Sequence, residues 1–548
     1  MKKKIILLLF IALTPLFLAS CDKKPKYEGL DPDVAGEITI MLWSGDGQFM
    51  QDIGHQNYAP TDLFGQNQAN LYAVAKAFNE IYPNVKINVF AKTEGPDDDE
   101  GSWYQHRENF KNEHGKWPDI YASTDLVGDI GRGLVADLSR FKDDPVYQSL
   151  NPSIMKMMNY YGFQAGLPQF VQPWGVYVNK ELAEQNNIDV PDPDWDMDDY
   201  IDFISAAPGN GQFYGAMDVN MSFFNTGTKS INYKLYNYDG GDDFVNINSA
   251  EVRDLISTYY KDWAENAIWA IADAEQLPDG FGDSFGWWSH TAFARNKVLT
   301  NDGDPWMMGD AAHPNPEHAN RVESNDWDIY PRPATDYQPN TVGVVLDPIA
   351  VHNYCIDDGD PECSEEEEQK IKLAYTFAAF WVADTRAWEA RAQQQFLDNG
   401  VLKSAMNDSL PVVTGEEFDK QMEYWYSVDI HQRFKDKDLM PGWHYVLELW
   451  EKGQMWDVSD KSFPMYHTDE GGARKLNLHE WQNANTPEVA ELLGIDTTLR
   501  RLDPQFVTAL LSKLPEWNKT ANERFKQGYE ELREALKKYY GYTDKDFK

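Results

Sequence analysis

Flat aromatic rings and short amides and acids recur in the turns that follow apolar runs of this chain. Trp43 and Asp46 come at and after the run 37–43, and Ser123 and Asp125 end and follow the run 118–123. Gln169, Gln172 and Trp174 share one segment, and Trp287 and Trp288 stand side by side. Trp306 follows Asp302-Gly-Asp-Pro, Trp443 follows Pro441-Gly, and Asp347 ends the run that starts at Thr341. Rings with apolar faces, beside planar donors and acceptors, suit a ligand with C–H faces and an edge of hydroxyls, held in a cleft that excludes water. A sugar is such a ligand. With 19 Trp, 29 Tyr and 27 Phe, most rings must serve the core, and an adjacent tryptophan pair usually sends one ring inward. Carboxylates could instead form a paired acid–base site. With 89 acids some such pair arises by chance, and no nucleophile elbow or paired-acid motif accompanies it.

Metal signals are poor, and no cofactor is expected. Asp192-Pro-Asp-Trp-Asp-Met-Asp-Asp199 alternates carboxylates without the glycine and terminal glutamate of a calcium loop, so it reads as an acidic helix start. His313 and His318 lie in a Pro/Asn-rich loop with no third ligand indicated. Cys355 and Cys363 lack metal-site spacing. In an oxidising compartment they form an even pair, and a disulfide closing so small a ring would add on the order of 2–3 kcal/mol. Two free thiols are the alternative.

The elements that position these residues alternate. Residues 37–43 read as a strand, with Ile38, Ile40 and Leu42 on one face. Leu71, Val74, Ala75, Phe78 and Ile81 recur at helical spacing within 65–82, and Pro83 ends that helix. Strands are predicted at 85–90, 118–123, 175–179 and 341–347, with helices near 103–113, from Lys180 and from Asp196. This alternation predicts βαβ units and a largely parallel sheet. Ser364 and Glu367 have capping-box spacing ahead of Ile371, Ala374, Tyr375, Ala378 and Trp381. Near the end Trp517, Ala521, Phe525, Tyr529, Leu532 and Leu536 form a core-facing stripe, with Pro515 placed at the helix start.

The first residues bear on compartment. Lys2, Lys3 and Lys4 precede an apolar stretch from Ile5 to Leu18, too short for a membrane span, which reads as an export signal. Leu18-Ala19-Ser20-Cys21 resembles a bacterial lipobox, whose cysteine is lipidated (palmitate among the acyl groups) and becomes the mature N-terminus. A polar stretch after Cys21 suits a tether. Removing a leader with three lysines and no acids takes the net charge from −40 to −43. Such a surface repels phosphate backbones and excludes nucleic acid as a partner.

The chain also resembles the extracellular solute-binding proteins of the maltose-binding type (family 1). The shared features run in order from Glu37 to about Trp443: Trp43-Ser-Gly-Asp46, Phe78-Asn-Glu-Ile-Tyr-Pro-Asn-Val, Pro118-Asp-Ile-Tyr-Ala, Gly131-Arg-Gly-Leu-Val-Ala-Asp-Leu138, Gly166-Leu-Pro168, Gly175-Val-Tyr-Val-Asn-Lys180, Trp195-Asp-Met-Asp-Asp-Tyr, Val342-Gly-Val-Val and Pro441-Gly-Trp443. Each is weak alone; the ordered set behind a lipobox is specific. Gly303-Asp-Pro-Trp306 departs from the family pattern, and the chain carries inserts near 44–64, 95–101, 352–368 and after 443.

The resemblance implies an α/β periplasmic-binding-protein-like fold (type II) of two lobes around a ligand cleft, with hinges near 168–176 and 328–340. On that basis 1–20 is a lipoprotein signal, 21–36 a tether, and 37–170 with 329–385 the N-terminal lobe. Residues 171–328 with 386–548 form the C-terminal lobe and a helical extension. The resemblance further implies a monomeric, non-enzymatic receptor on the outer face of a membrane. It would deliver a carbohydrate to the permease subunits of an ABC importer, with Asp46 and Asp125 at ligand-contacting positions. An exported glycoside hydrolase and a surface glycan-binding lipoprotein are the competing readings.

Overall fold

The computed structural model describes residues 29–43, 49–63, 65–92, 103–123, 125–209, 211–217, 238–260, 278–286, 288–302, 305–356, 363–398, 400–457 and 504–548. The export signal, Cys21, Asp46, the turn 95–101 and Trp287 lie outside them. Among the described residues no helix is long and apolar enough to cross a membrane.

Two sheets organise the chain. In the first, Ala35–Trp43 pairs in parallel with Asn84–Lys92, register Ile38 to Ile87, and with Ile120–Ala122. The long strand Val342–Val351 runs antiparallel to Ile120–Ala122 and to Leu167–Trp174, and parallel to Met455–Asp457. The sheet is thus mixed, where the alternating pattern predicted a largely parallel one, because Val342–Val351 re-enters from the second lobe. Helix Gln66–Asn79 buries Leu71, Val74, Ala75 and Phe78 on this sheet. Phe78 meets Phe377 and Phe380 at 5.0 and 5.4 Å, on helix Glu365–Ala383. That helix opens with the expected capping box of Ser364 and Glu367. With both faces covered, Ile38, Ile40, Met41 and Leu42 are all buried.

The second sheet has the order Asp328–Tyr330, Val176–Val178, Val298–Asn301, Tyr214–Ala216. The chain leaves the first sheet at Trp174, enters the second at Val176, and returns between Tyr330 and Val342. These crossings coincide with the segments named as hinges from the sequence. They touch: a Cβ on Gly175 would lie 2.5 Å from the carbonyl oxygen of Tyr330, which only glycine permits.

The expected lobe boundary at 385 shifts. Asp384 ends helix Glu365–Ala383 and, through its carboxylate and the Arg386 amide (2.9 Å), caps helix Thr385–Gln393. One residue is too short a link to cross between lobes, and Thr385–Gln393 packs on Gln66–Asn79. Residues 405–414 also follow the first lobe: Gln66 donates to the Met406 carbonyl, the Val171 amide donates to the Ser409 hydroxyl oxygen, and the Leu410 amide donates to the Val171 carbonyl. Met455–Asp457 belongs to the first sheet as well, not to the second lobe.

Pro515 lies inside helix Pro504–Tyr540 rather than at its start. A proline there leaves the carbonyl four residues earlier without its helical donor. That carbonyl, on Leu511, accepts instead from the Arg253 guanidinium at 3.2 Å. Ala521, Phe525, Tyr529, Leu532 and Leu536 are buried as the stripe predicts. Phe525 and Tyr529 pack on Phe244, and Tyr529 also on Tyr238, while Tyr540 at the same helix's end meets Phe163. Cys355 and Cys363 are joined in a disulfide, with Cα atoms 4.4 Å apart.

Helix Pro441–Glu451 is anchored to the second sheet by one carboxylate. Asp328 accepts from the amides of Gly442 (2.7 Å) and Trp443 (3.0 Å). Burial pushes its pKa up to about 6, against the opposing pull of these amides. Protonation is then easier in the native chain than in the unfolded one. Lowering the pH from 7 to 5 therefore stabilises the native state through this group, and raising it through 6 removes that gain. In Asp328→Asn the gain between pH 7 and pH 5, read from denaturant midpoints, is expected to be smaller than in the wild type, the remainder reflecting groups such as Asp119. An equal gain contradicts the assignment.

Candidate functional site

The lobes are tied where the crossing segments meet. The Trp174 indole N–H donates to the Asp302 carbonyl oxygen at 2.6 Å. Arg332, on the returning segment, donates to the same oxygen at 3.2 Å and stands 3.5 Å from the Asp302 carboxylate. Arg332 and the Asp302 side chain are fully buried. Trp174 thus has a structural task at its polar end, and only its half-exposed ring faces outward.

Beyond Asp302 the chain enters the turn Pro305–Met307, which abuts strand Leu167–Trp174. Trp306 projects from it with 45 % of its surface exposed, while Met307 is buried and holds the turn in place. Trp306 lines a cavity of about 590 Å³. One wall comes from the first lobe: Gly65 and Gln66 at the start of the first helix, and the hairpin of Gln395–Asp398 and Val401–Ser404. The other comes from helix Met308–Ala311, the loop 313–315 and the turn at 427–430. The volume falls in the usual range for small-molecule sites.

Its lining mixes two chemistries. Among the described residues the exposed large apolar side chains are Trp288, Trp306, Tyr337, Val401 and Leu402, and three of them line this one cavity. Contiguous exposed apolar surface marks a binding site more often than scattered surface does. Around it stand Gln66, Asp310, His313, Asn315, Gln393, Asp398, Lys403 and Asp408. Asp398 pairs with Lys403 at 2.8 Å. Asp408 bridges the two walls, accepting from the Gly309 amide at 3.1 Å and lying 2.8 Å from a His431 ring nitrogen. His313 stacks on His318 at 4.2 Å, and burial, with His318 and Lys403 nearby, lowers its pKa. A neutral ring with many fixed donors and acceptors is equipped to hold hydroxyl groups.

The sequence-predicted residues divide into three sets. Ser123, Asp125, Gln169 and Asp347 gather where the strands Ile120–Ala122, Val342–Val351 and Leu167–Trp174 adjoin inside the first sheet. The Ser123 amide donates to the Pro348 carbonyl, and Asp347 faces Phe170 across a register shift beside Gln169. Ser123 donates to Asp129 at 2.7 Å, the carboxylate that also holds the buried Arg107, and Asp125 caps helix Leu126–Gly131 through the Gly128 amide at 2.9 Å. Gln172 is buried in the strand opposite Val345.

Trp306 and Trp288 are the exposed pair, on the second lobe. Trp443 is a correction. It lies in the first turn of helix Pro441–Glu451, fully buried, 5.7 Å from Trp425 and 5.0 Å from Phe434. Proline at a helix's first position starts a helix as readily as it ends a loop, and Asp328 supplies the cap from 114 residues upstream of Gly442, which no local pattern reveals. Trp43 ends its strand, and Asp46 and Trp287 lie outside the described residues. Sequence reasoning missed Val401 and Leu402. Their signal was an apolar pair just after Asn399-Gly400, a hairpin-turn dipeptide.

No known family model matches the chain, and no curated protein matches it in sequence. Solved structures do match in fold. An ABC substrate-binding protein from Listeria monocytogenes, in complex with cycloalternan, is 17% identical at a TM-score of 0.51, covering 89% of this chain and 99% of its own. A cyclo/maltodextrin-binding protein complexed with maltotetraose is 13% identical at a TM-score of 0.50, covering 90% and 98%. A periplasmic solute-binding protein from Pectobacterium atrosepticum is 13% identical at 0.51, covering 90% and 99%. The fold is that of the two-lobed periplasmic binding proteins.

Replacing Arg332 by Met removes the cation beside a buried carboxylate, and the expected cost is about 3–5 kcal/mol. The double variant Arg332→Met, Asp302→Leu should lose less than the two single losses combined, as measured by a denaturation cycle. Additive losses contradict the coupling.

Proposed function

We propose that this chain is the substrate-binding component of an ABC importer, capturing a carbohydrate between its lobes and presenting it to the membrane permease subunits. The observation that carries the proposal is the exposed Trp306 on the wall of a polar-rimmed interlobe cavity, with Val401 and Leu402 on the same lining. A pyranose ring has apolar faces that stack on such a ring and hydroxyls that bond to the amides and acids around it. The fold neighbours that hold cycloalternan and maltotetraose support the same ligand class.

The crossings beside Gly175 and at 331–341 act as the hinge, and the apolar contacts formed on closure favour the closed state only when sugar fills the gap. The protein works as a monomeric receptor rather than an enzyme. Cys21 carries the lipid that holds it on the outer face of the membrane, and a net charge near −43 leaves it no affinity for nucleic acid.

A ligand bound only by the native state raises the melting temperature, by about 2.7 kcal/mol of added stability at a hundredfold excess over Kd. A thermal-shift screen of mono- and oligosaccharides should therefore find a stabilising sugar. Trp306→Ala should abolish most of that shift without lowering the unliganded melting temperature. Release of product from a labelled oligosaccharide by the pure protein would favour the glycoside-hydrolase reading instead.

A further inference from the structure

Trp288 is the most exposed large apolar side chain among the described residues, at 66 % of its surface, and it is not on the cavity wall. A path of rings nevertheless joins it to the wall. The His290 ring lies 6.4 Å from that of Trp288 with the planes 22° apart, and 4.9 Å from Trp306 at 68°. The three rings therefore continue the cavity's aromatic lining outward along the second lobe.

The base of this track is held in place while the rings at its two ends are exposed. Trp288 is the residue before helix Ser289–Ala294, and its carbonyl oxygen accepts from the Ala292 amide (2.8 Å) and the Thr291 hydroxyl (2.9 Å). Ala292, Phe293 and Ala294 are buried, and the helix packs on strand Val298–Asn301, which leads to Asp302 and on to Trp306. Gly286, in a left-handed conformation (φ 79°), would place a Cβ only 3.9 Å from the Trp288 indole, so the preceding loop comes close to the ring. A tryptophan pinned at its backbone and left open to water carries an apolar cost that a bound ligand recovers, and little ordering is needed on binding.

We infer that Trp288 and His290 form an outer sugar subsite continuous with the cavity, so that the bound glycan is a chain whose end extends beyond the cavity onto this track. The inference rests on the carbohydrate reading above. It narrows the substrate class to oligosaccharides long enough to reach from Trp306 to Trp288, and it assigns the two aromatics different tasks. Trp306 contacts every ligand; Trp288 contacts only those that project.

The test is calorimetric titration with chain-length ladders, disaccharide to hexasaccharide, of α-1,4-glucan, β-1,4-glucan, β-1,4-xylan and chitin oligomers. In the wild type, affinity for the recognised ladder should rise with length. Trp288→Ala should weaken the longest members by about tenfold or more, the scale of losing an aromatic anchor, while leaving the disaccharide within about twofold. Trp306→Ala should weaken every length. Unchanged melting temperature of unliganded Trp288→Ala separates this loss from misfolding, and Trp288→Phe should restore part of the length dependence. A ladder that Trp288→Ala leaves unchanged, as a protein-docking role for Trp288 would, overturns the outer subsite but not carbohydrate binding. Equal weakening at all lengths also overturns it. Failure of all four ladders to bind overturns the carbohydrate reading and the subsite with it.

Discussion

The architecture depends on a buried knot at the point where the lobes join. Asp302 directly follows a strand of the second sheet, Trp174 ends a strand of the first, and Arg332 lies on the segment that returns between them. A fully buried guanidinium and carboxylate are costly to desolvate and tolerable only with good hydrogen bonding. Here the Asp302 carbonyl oxygen takes two donors from two different crossing segments. That shared acceptor fixes where the turn bearing Trp306 begins, and so fixes one wall of the cavity relative to the other. Gly175 completes the constraint by letting the strands approach to a distance no side chain would allow.

Tryptophan serves opposite ends in this chain, and burial separates them. Trp425 and Trp443 stack at 5.7 Å in a closed aromatic core that also holds Phe434 and the ring of His431. Trp306 and Trp288 sit on short turns whose backbones are anchored by buried neighbours, and their rings stay in water. A core ring stabilises the fold by area removed from water on folding. A surface ring keeps that area in reserve for binding. The hairpin at 395–404 brings Val401 and Leu402 to the same cavity from the first lobe, so the site is complete only with both lobes present.

Much of this was legible in the sequence. The strand at 37–43, the helix over Leu71 to Phe78 and the capping box at Ser364 follow from periodicity and local chemistry, which act over a few residues, while the crossing near Gly175 is what the family resemblance implies. The misplacements have long-range causes. Trp443 looked like a loop residue because its helix is capped by Asp328 from the second sheet. Pro515 looked like a helix start, but the Leu511 carbonyl that it orphans inside the helix is satisfied by Arg253, far away in sequence. The boundary near 385 failed because the single residue Asp384 both ends one helix and begins the next. Val401 and Leu402 drew no attention because exposure, not residue type, is what distinguishes them.

Closure of the two lobes on an intact sugar is read directly by small-angle X-ray scattering. The wild-type protein is measured alone and with a saturating saccharide from the thermal-shift screen, and the sugar is recovered afterwards for chain-length analysis. The account predicts a smaller radius of gyration in the liganded state and a sugar recovered unchanged. An unchanged radius of gyration with the sugar bound, or recovery of shortened chains, would contradict it.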